Sequence, residues 1–211
     1  MSAGAPSADA VARRLAAAGL VLPAAQAAAL ARFLELLARW NRVHNLTAIR
    51  DPQAAIERHL LESLALAPLL RGERVADIGT GAGLPGMPLA IVEPARHFTL
   101  IESRAKRVAF LRHVVGELAL ANVTVEHCRA EDLRPAQPFA TVLARAVAPP
   151  AELLGLCAPL VAPEGVAVLS TTEPLVEELV RLAPGHGLRL ARRTDVPHAR
   201  GTVLILERAG D

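Results

Sequence analysis

Leu30, Phe33, Leu34, Leu37 and Trp40 recur at intervals of three and four, so the chain after Pro23 is predicted to form one long amphipathic helix. Pro23 opens it, because proline is tolerated at a first helical position. The stripe ends at Asn41–Asn45. A second helical pattern starts with Asp51 as N-cap and Pro52 at the first helical position. Ile56, Leu60, Leu64 and Ala67 continue it along one face, and Pro68 and Gly72 close it. Beyond Gly72 the rhythm changes. Short apolar runs at 74–78, 97–102, 123–127, 140–144, 166–170, 188–196 and 202–207 are predicted strands. Helical stretches fall at 86–92, 104–120, 150–158 and 174–182. This alternation predicts an α/β fold, a doubly wound, mostly parallel sheet with crossover helices. The last two strand candidates are joined only by a Pro/His/Arg/Gly link, which predicts a closing hairpin and an antiparallel final strand. The expected boundary lies near residues 70–73, between a helical extension (1–71) and the sheet domain (72–211).

At 211 residues the chain is expected to be one domain with a small extension. It is 52% hydrophobic, enough for a substantial core, and only 2% aromatic, which argues against RNA binding by base stacking. The net charge of +2 is a mild basic excess, carried almost wholly by arginine, since Lys106 is the only lysine. That bias fits either genome composition or bidentate guanidinium contacts with phosphates. Cys128 and Cys157 are far apart and form no CxxC, so neither a disulfide framework nor a metal site is expected. A reducing, cytoplasmic setting is the default. The alanine-rich N-terminus has Arg13 and Arg14 in its middle and no compact apolar core, so it does not read as a signal peptide. No window of about 18 charge-free apolar residues exists, so no membrane span is expected.

The chemistry concentrates at Val75-Ala76-Asp77-Ile78-Gly79-Thr80-Gly81-Ala82-Gly83-Leu84-Pro85-Gly86. A strand ends beside an acid and runs into four glycines, which let the backbone turn at positive φ and approach a ligand closely. Gly81, Gly83 and Gly86 satisfy GxGxxG, so a dinucleotide reading is open. Asp77 favours S-adenosylmethionine (AdoMet), a cationic amine and sulfonium without phosphate, over a pyrophosphate that a carboxylate at the loop's mouth would repel. Ligands of open α/β sheets sit beyond the carboxyl ends of the strands, so three loops should meet there. Glu102 ends the second strand, 25 positions after Asp77, where an acid can reach a ribose diol. The third loop carries Arg129-Ala130-Glu131-Asp132, where a backbone amide and an acid can bond an adenine edge. Each acid also has a plainer reading: Asp77 as a loop brace, Glu102 as a partner of Arg104 or Lys106, Asp132 as structural.

Arg145 follows an apolar strand at the functional edge. It is read either as an ion-pair partner of Glu131 or Asp132, or as a guanidinium placed near the cofactor carboxylate or a nucleic-acid target. No tyrosine is present, the residues around Pro149-Pro150 are alanines, and neither cysteine has a Pro-Cys context. The lack of a general base fits attack by a ring nitrogen such as guanine N7, which carries a lone pair and no proton. Such a reaction needs mainly in-line positioning and desolvation, and guanine O6 and N7 form the acceptor pair that arginine recognises.

Together these residues resemble the small-subunit ribosomal RNA guanine-N7 methyltransferase family (RsmG/GidB). The resemblance spans roughly residues 33–180. It takes in Trp40-Asn41, Asn45-Leu46-Thr47, Arg58-His59-Leu60 with Ser63, the glycine loop, Glu102-Ser103, Lys106-Arg107, Phe110-Leu111, Arg129-Ala130-Glu131 and Arg145-Ala146. It implies a class I AdoMet methyltransferase, Rossmann-like, with an N-terminal helical cap. Gly79, Leu84, Ala130, Glu131 and Arg145 would contact AdoMet, Glu102 would hold its ribose, and Asp77, Gly81 and Gly83 would complete the cofactor loop. Arg145 would also act at the reacting end. Asn45, Thr47 and His59 would line the target side. The implied partner is 16S rRNA of the small ribosomal subunit, and the target a guanine in its decoding-region loop, nucleotide 527 in rRNA numbering. The chain departs from the family at Ala144, where a serine is usual, and at Ser170-Thr171, where Lys-Gly is usual. Read from the residues alone, Trp40 can be simple core, His59 a half-buried helix histidine and Asn45 a turn former. An AdoMet enzyme for another RNA, a small molecule or a protein, an oxidoreductase, and a non-catalytic RNA-binding module are the competing readings.

Overall fold

The computed structural model describes residues 5–145, 148–196 and 201–209. Ala146 of the Arg145-Ala146 pair and the 197–200 link of the expected hairpin lie outside them. Seven strands form one sheet: β1 (Arg74–Ile78), β2 (His97–Ile101), β3 (Val123–Glu126), β4 (Phe139–Arg145), β5 (Val161–Thr171), β6 (Leu188–Thr194) and β7 (Thr202–Arg208). Their order is β3-β2-β1-β4-β5-β7-β6. β1 pairs parallel with both β2 and β4, so the winding reverses between β1 and β4 and opens a crevice there. β7 runs antiparallel to β5 and to β6, as the closing hairpin requires.

Successive strand residues serve opposite faces, as a two-residue period demands. Val75, Leu143, Val166 and Val168 face one core, with Phe98, Leu100, Phe110 and Leu111. Ala76, Val142, Ala144, Ala167 and Leu169 face the other. That second face is covered by α7 (Pro150–Cys157) and α8 (Glu173–Leu182). The first is covered by α5 (Gly86–Val92) and α6 (Ala105–Glu117), together with the N-terminal cap. The cap contains α1 (Ala8–Ala17), α2 (Ala24–His44), α3 (Pro52–Ala55) and α4 (Glu62–Leu64). Its apolar stripe is buried as the spacing predicts: Leu30, Phe33, Leu34 and Leu37 are at most 2% exposed and share one core with the sheet's first face. That core runs without interruption across residues 70–73, so the cap serves as part of a helical layer.

Several boundaries differ from the sequence reading. Pro23 is the N-cap of α2, not its first residue. Between α3 and α4 the chain makes a π-helical turn, Ile56–Leu61, which a 3.6-residue pattern does not anticipate. α6 ends at Glu117, three residues early, and Ala119 takes a positive φ of 49°. β5 is longer than its apolar stretch because it begins at Val161 and shifts register against β4. β6 stops at Thr194. β4 includes Arg145, so that arginine is the last residue of the strand and does not follow it. Among the described residues no helix is long and apolar enough to cross a membrane, and no cluster of metal-ligating side chains is found.

Candidate active site

The loop after β1 is shaped by glycines that no other residue replaces cheaply. Gly79, Gly81 and Gly83 have φ of 62°, 62° and 84°. At Gly86 the constraint is space: a Cβ there would overlap Leu100 Cδ2 and lie 2.8 Å from Asp77 Oδ2. Asp77 is behind this loop and only 1% exposed. Its Oδ2 accepts from the Thr80 hydroxyl at 2.6 Å and from Gly86 N–H at 2.8 Å. Burial pushes its pKa up to about 6, against the pull of those two hydrogen bonds and of the Arg145 charge. The expectation that Asp77 stands at the mouth and attracts the ligand is therefore corrected. It braces the loop from beneath, and Thr80, unremarked in the sequence, is its partner.

The ligand-facing acid is one strand over. Glu102, 4% exposed, follows β2. Its Oε1 accepts from Arg104 N–H at 2.8 Å, and its Oε2 accepts from Gly81 N–H at 3.1 Å and lies 3.4 Å from Arg107 Nη1. Lys106 is not among these partners. An ionised carboxylate has about four acceptor sites, so Glu102 retains capacity for hydroxyl donors. A cleft of about 150 Å³ opens beside it, lined among others by Gly79, Glu102, Ser103, Ala130, Glu131 and Glu152. Four of the expected cofactor residues thus meet: Gly79, Glu102, Ala130 and Glu131. Gly81 joins through its bond to Glu102. Gly83 and Leu84 are buried on the core side of the loop, Leu84 at 6% exposure, and do not line the cleft. The cleft's three carboxylates (Glu102, Glu131, Glu152) outnumber the two guanidiniums paired with them, Arg129 at 3.4 Å from Glu131 and Arg107 at 3.4 Å from Glu102. This charge balance fits a cationic ligand without phosphate, and so fits AdoMet. The electrostatic argument survives with Glu102 in the place given to Asp77.

The cap lines a second cavity, separate from the Glu102 cleft. Asn41, at the end of α2, donates Nδ2–H to Thr47 O and accepts Thr47 N–H on Oδ1, both at 2.9 Å. This double bond fixes the loop between α2 and α3. Thr47 Oγ1 accepts from Ile49 N–H at 3.1 Å and lies 3.2 Å from His59 Nε2. His59 is 4% exposed on the π turn. Burial, then the nearby Arg145 charge, pulls its pKa down to about 4, so the ring is neutral at pH 7. Thr47 and His59 border a cavity of about 440 Å³ together with Asn41, Arg39, Arg42 and Arg50. Asn45 is not on its wall. It is the left-handed C-cap of α2, φ 48°, exposed, with Oδ1 3.2 Å from Arg50 Nη2. Its plainer reading, a turn former, matches this position.

Arg145 does not pair with Glu131 or Asp132. Its Nη1 is 3.7 Å from Glu62 Oε2, on the cap, and Glu62 Oε1 is 2.9 Å from Arg58 Nε. The four-residue spacing of Arg58 and Glu62 was a readable pairing signal. The link across 83 positions to Arg145 had none. Cys157 is fully buried, with its thiol pushed up to about 12 by burial.

The strand order and the crevice beside β1 are those of a class I AdoMet methyltransferase. Magnesium protoporphyrin IX methyltransferase from Synechocystis, solved with bound SAM, superposes with a TM-score of 0.61 at 17% identity, covering 82% of this chain and 90% of that one. The sequence narrows the class. The model of the GidB family, rRNA small subunit methyltransferase G, matches residues 26–200, and the chain belongs to that family. Ribosomal RNA small subunit methyltransferase G of Serratia proteamaculans is 44% identical over 190 residues, 89% of this chain and 91% of that protein. The Methylococcus capsulatus protein of the same name is 51% identical over 139 residues, 66% of this chain and 68% of that protein.

Proposed function

We infer that this protein transfers a methyl group from AdoMet to N7 of a guanine in 16S rRNA, acting in the cytoplasm on the small ribosomal subunit or its RNA. Nucleotide 527 is the expected target. The observation that carries the reading is the acidic, glycine-walled cleft around Glu102, in a chain that matches the rRNA small subunit methyltransferase G family over residues 26–200.

When bound, AdoMet supplies an electrophilic sulfonium methyl. The remaining work falls to this chain. Glu102 accepts the ribose hydroxyls on the acceptor sites its backbone partners leave free. Gly79 and Gly81 allow close backbone approach, and Ala130 and Glu131 meet the adenine edge. Arg145, at the carboxyl end of β4, presents a guanidinium at the reacting end. Guanine N7 brings its own lone pair and no proton, so no residue has to act as base. The neutral His59 has no proton to remove and serves as part of the target-side wall. Positioning and exclusion of water then set the rate.

The test is to map methylated guanines in 16S rRNA from cells with and without this protein. The expected result is loss of one 7-methylguanine. An unchanged 16S pattern, with a methyl missing from another RNA, would reject the target. Calorimetric titration with S-adenosylhomocysteine (AdoHcy) and with NAD tests the cofactor: binding of NAD alone would reject it.

A further inference from the structure

Arg145 has its side chain 37% exposed at the end of β4. The acids nearest in the sequence reading are spent or turned away: Glu131 pairs with Arg129, and both Glu131 and Asp132 are exposed. Asp77, though it feels the Arg145 charge, is sealed under the glycine loop by Thr80 and Gly86. Among the described residues, the acid that reaches Arg145 comes from the cap. Glu62 is only 11% exposed, follows the π turn directly, and lies between Arg58 at 2.9 Å and Arg145 at 3.7 Å.

We propose that Glu62 is a positioning residue for methyl transfer: it ties the Arg145 guanidinium to the helical cap and so holds it at the reacting edge of the sheet. The inference rests on the reading that Arg145 acts at that edge. A partly exposed ion pair of this kind adds little to stability. Misplacing a group at a reacting centre is more damaging, with losses of about 100-fold for a 1 Å error. Glu62 therefore matters more for turnover than for folding. The pairing also couples the cap, which carries Thr47 and His59 on the target side, to the end of β4. A cap displaced on binding RNA carries the arginine's anchor with it.

The experiment is a double-mutant cycle on kcat with 16S rRNA, each rate normalised to the sites titrated by AdoHcy. Glu62→Gln is expected to lower kcat by about 10- to 100-fold. Glu62→Asp, which keeps the charge, should recover part of that loss. Combined with Arg145→Ala, Glu62→Gln should add nothing, because two residues acting through one interaction are non-additive. Independent, multiplying losses would overturn the proposal, and so would a Glu62→Gln enzyme at the wild-type rate. If Glu62→Gln is too unstable to assay, Glu62→Asp carries the same cycle. A fully active Arg145→Ala variant would instead sink the reading of Arg145, whatever Glu62 does.

Discussion

Gly86 N–H donates to the same Asp77 oxygen, Oδ2, that takes the Thr80 hydroxyl, at 2.8 and 2.6 Å. One buried carboxylate thus ties the first turn of the glycine loop to the start of α5. Asp77→Ala removes the acceptor that the two buried donors share. It is expected to destabilise the fold by about 1–3 kcal/mol and to weaken AdoHcy binding with it. Gly86→Ala should be worse, because its methyl meets both Leu100 and Asp77. Chemical denaturation and calorimetric titration check both. An Asp77→Ala protein of wild-type stability would show that the brace contributes nothing.

Asp77 and His59 should pull the pH dependence of stability in opposite directions. His59 falls from its ordinary 6.5 to about 4 in the fold. Between pH 6.5 and 4 the unfolded chain takes a proton there that the folded one refuses, so acid destabilises. Asp77 rises from 3.8 to about 6. Between pH 6 and 3.8 the folded chain binds that proton first, so acid stabilises. The two contributions largely cancel in the native protein between pH 6 and 4. Relative to wild type, His59→Gln should gain on the order of 2 kcal/mol as pH falls from 7 to 4. Unfolding midpoints across that range test it, and parallel curves for the two proteins would refute it.

Glu102 already holds Gly81 N–H and Arg104 N–H, so its predicted role in ribose binding must show against a structural background. Glu102→Gln should weaken AdoHcy by about 10- to 100-fold, the range for hydrogen bonds to a charged group. The specific sign is discrimination. Wild type should bind an AdoHcy analogue lacking both ribose hydroxyls much more weakly than AdoHcy, and the variant should distinguish the two less. Equal discrimination by both proteins would leave Glu102 a loop anchor only.

What the sequence made legible followed its periodicities. The stripe from Leu30 to Trp40 and the alternation of short apolar runs specify buried faces directly, and the sheet and its helices formed where those patterns lie. The glycine loop was legible because positive φ and close approach leave few residue choices. The role of Asp77 was misplaced because charge type can be read from a sequence and burial depth cannot: a strand-end acid can point out over a loop or in beneath it. Only the partners, Thr80 and Gly86, decide. The π turn was invisible because its extra residue leaves the apolar positions nearly in phase. Glu62 was missed because its second partner lies on another element, brought close only by the shared core of cap and sheet.

Asn41 offers a way to separate the cap's contribution from the cleft's. Its amide matches both backbone polar groups of one residue, Thr47, while buried at 4% exposure. Asn41→Asp preserves volume but turns a donor into an acceptor facing the Thr47 carbonyl, at an expected loss of about 1–3 kcal/mol. Thr47 is then free to leave His59, and the loop carrying Asn45 and Arg50 loses its anchor. The cleft around Glu102 is lined from β1, β2, the loops that follow them, the loop after β3 and α7, none of which this bond touches. At a temperature where the variant remains folded, KM for 16S rRNA should rise several-fold while AdoHcy affinity stays within about twofold of wild type, near the additivity limit for separated sites. Steady-state kinetics with varied RNA, alongside AdoHcy titration, reads both. Equal loss in the two would mean that the cap loop and the cofactor cleft are one cooperative unit, and that the target side cannot be tuned apart from the donor side.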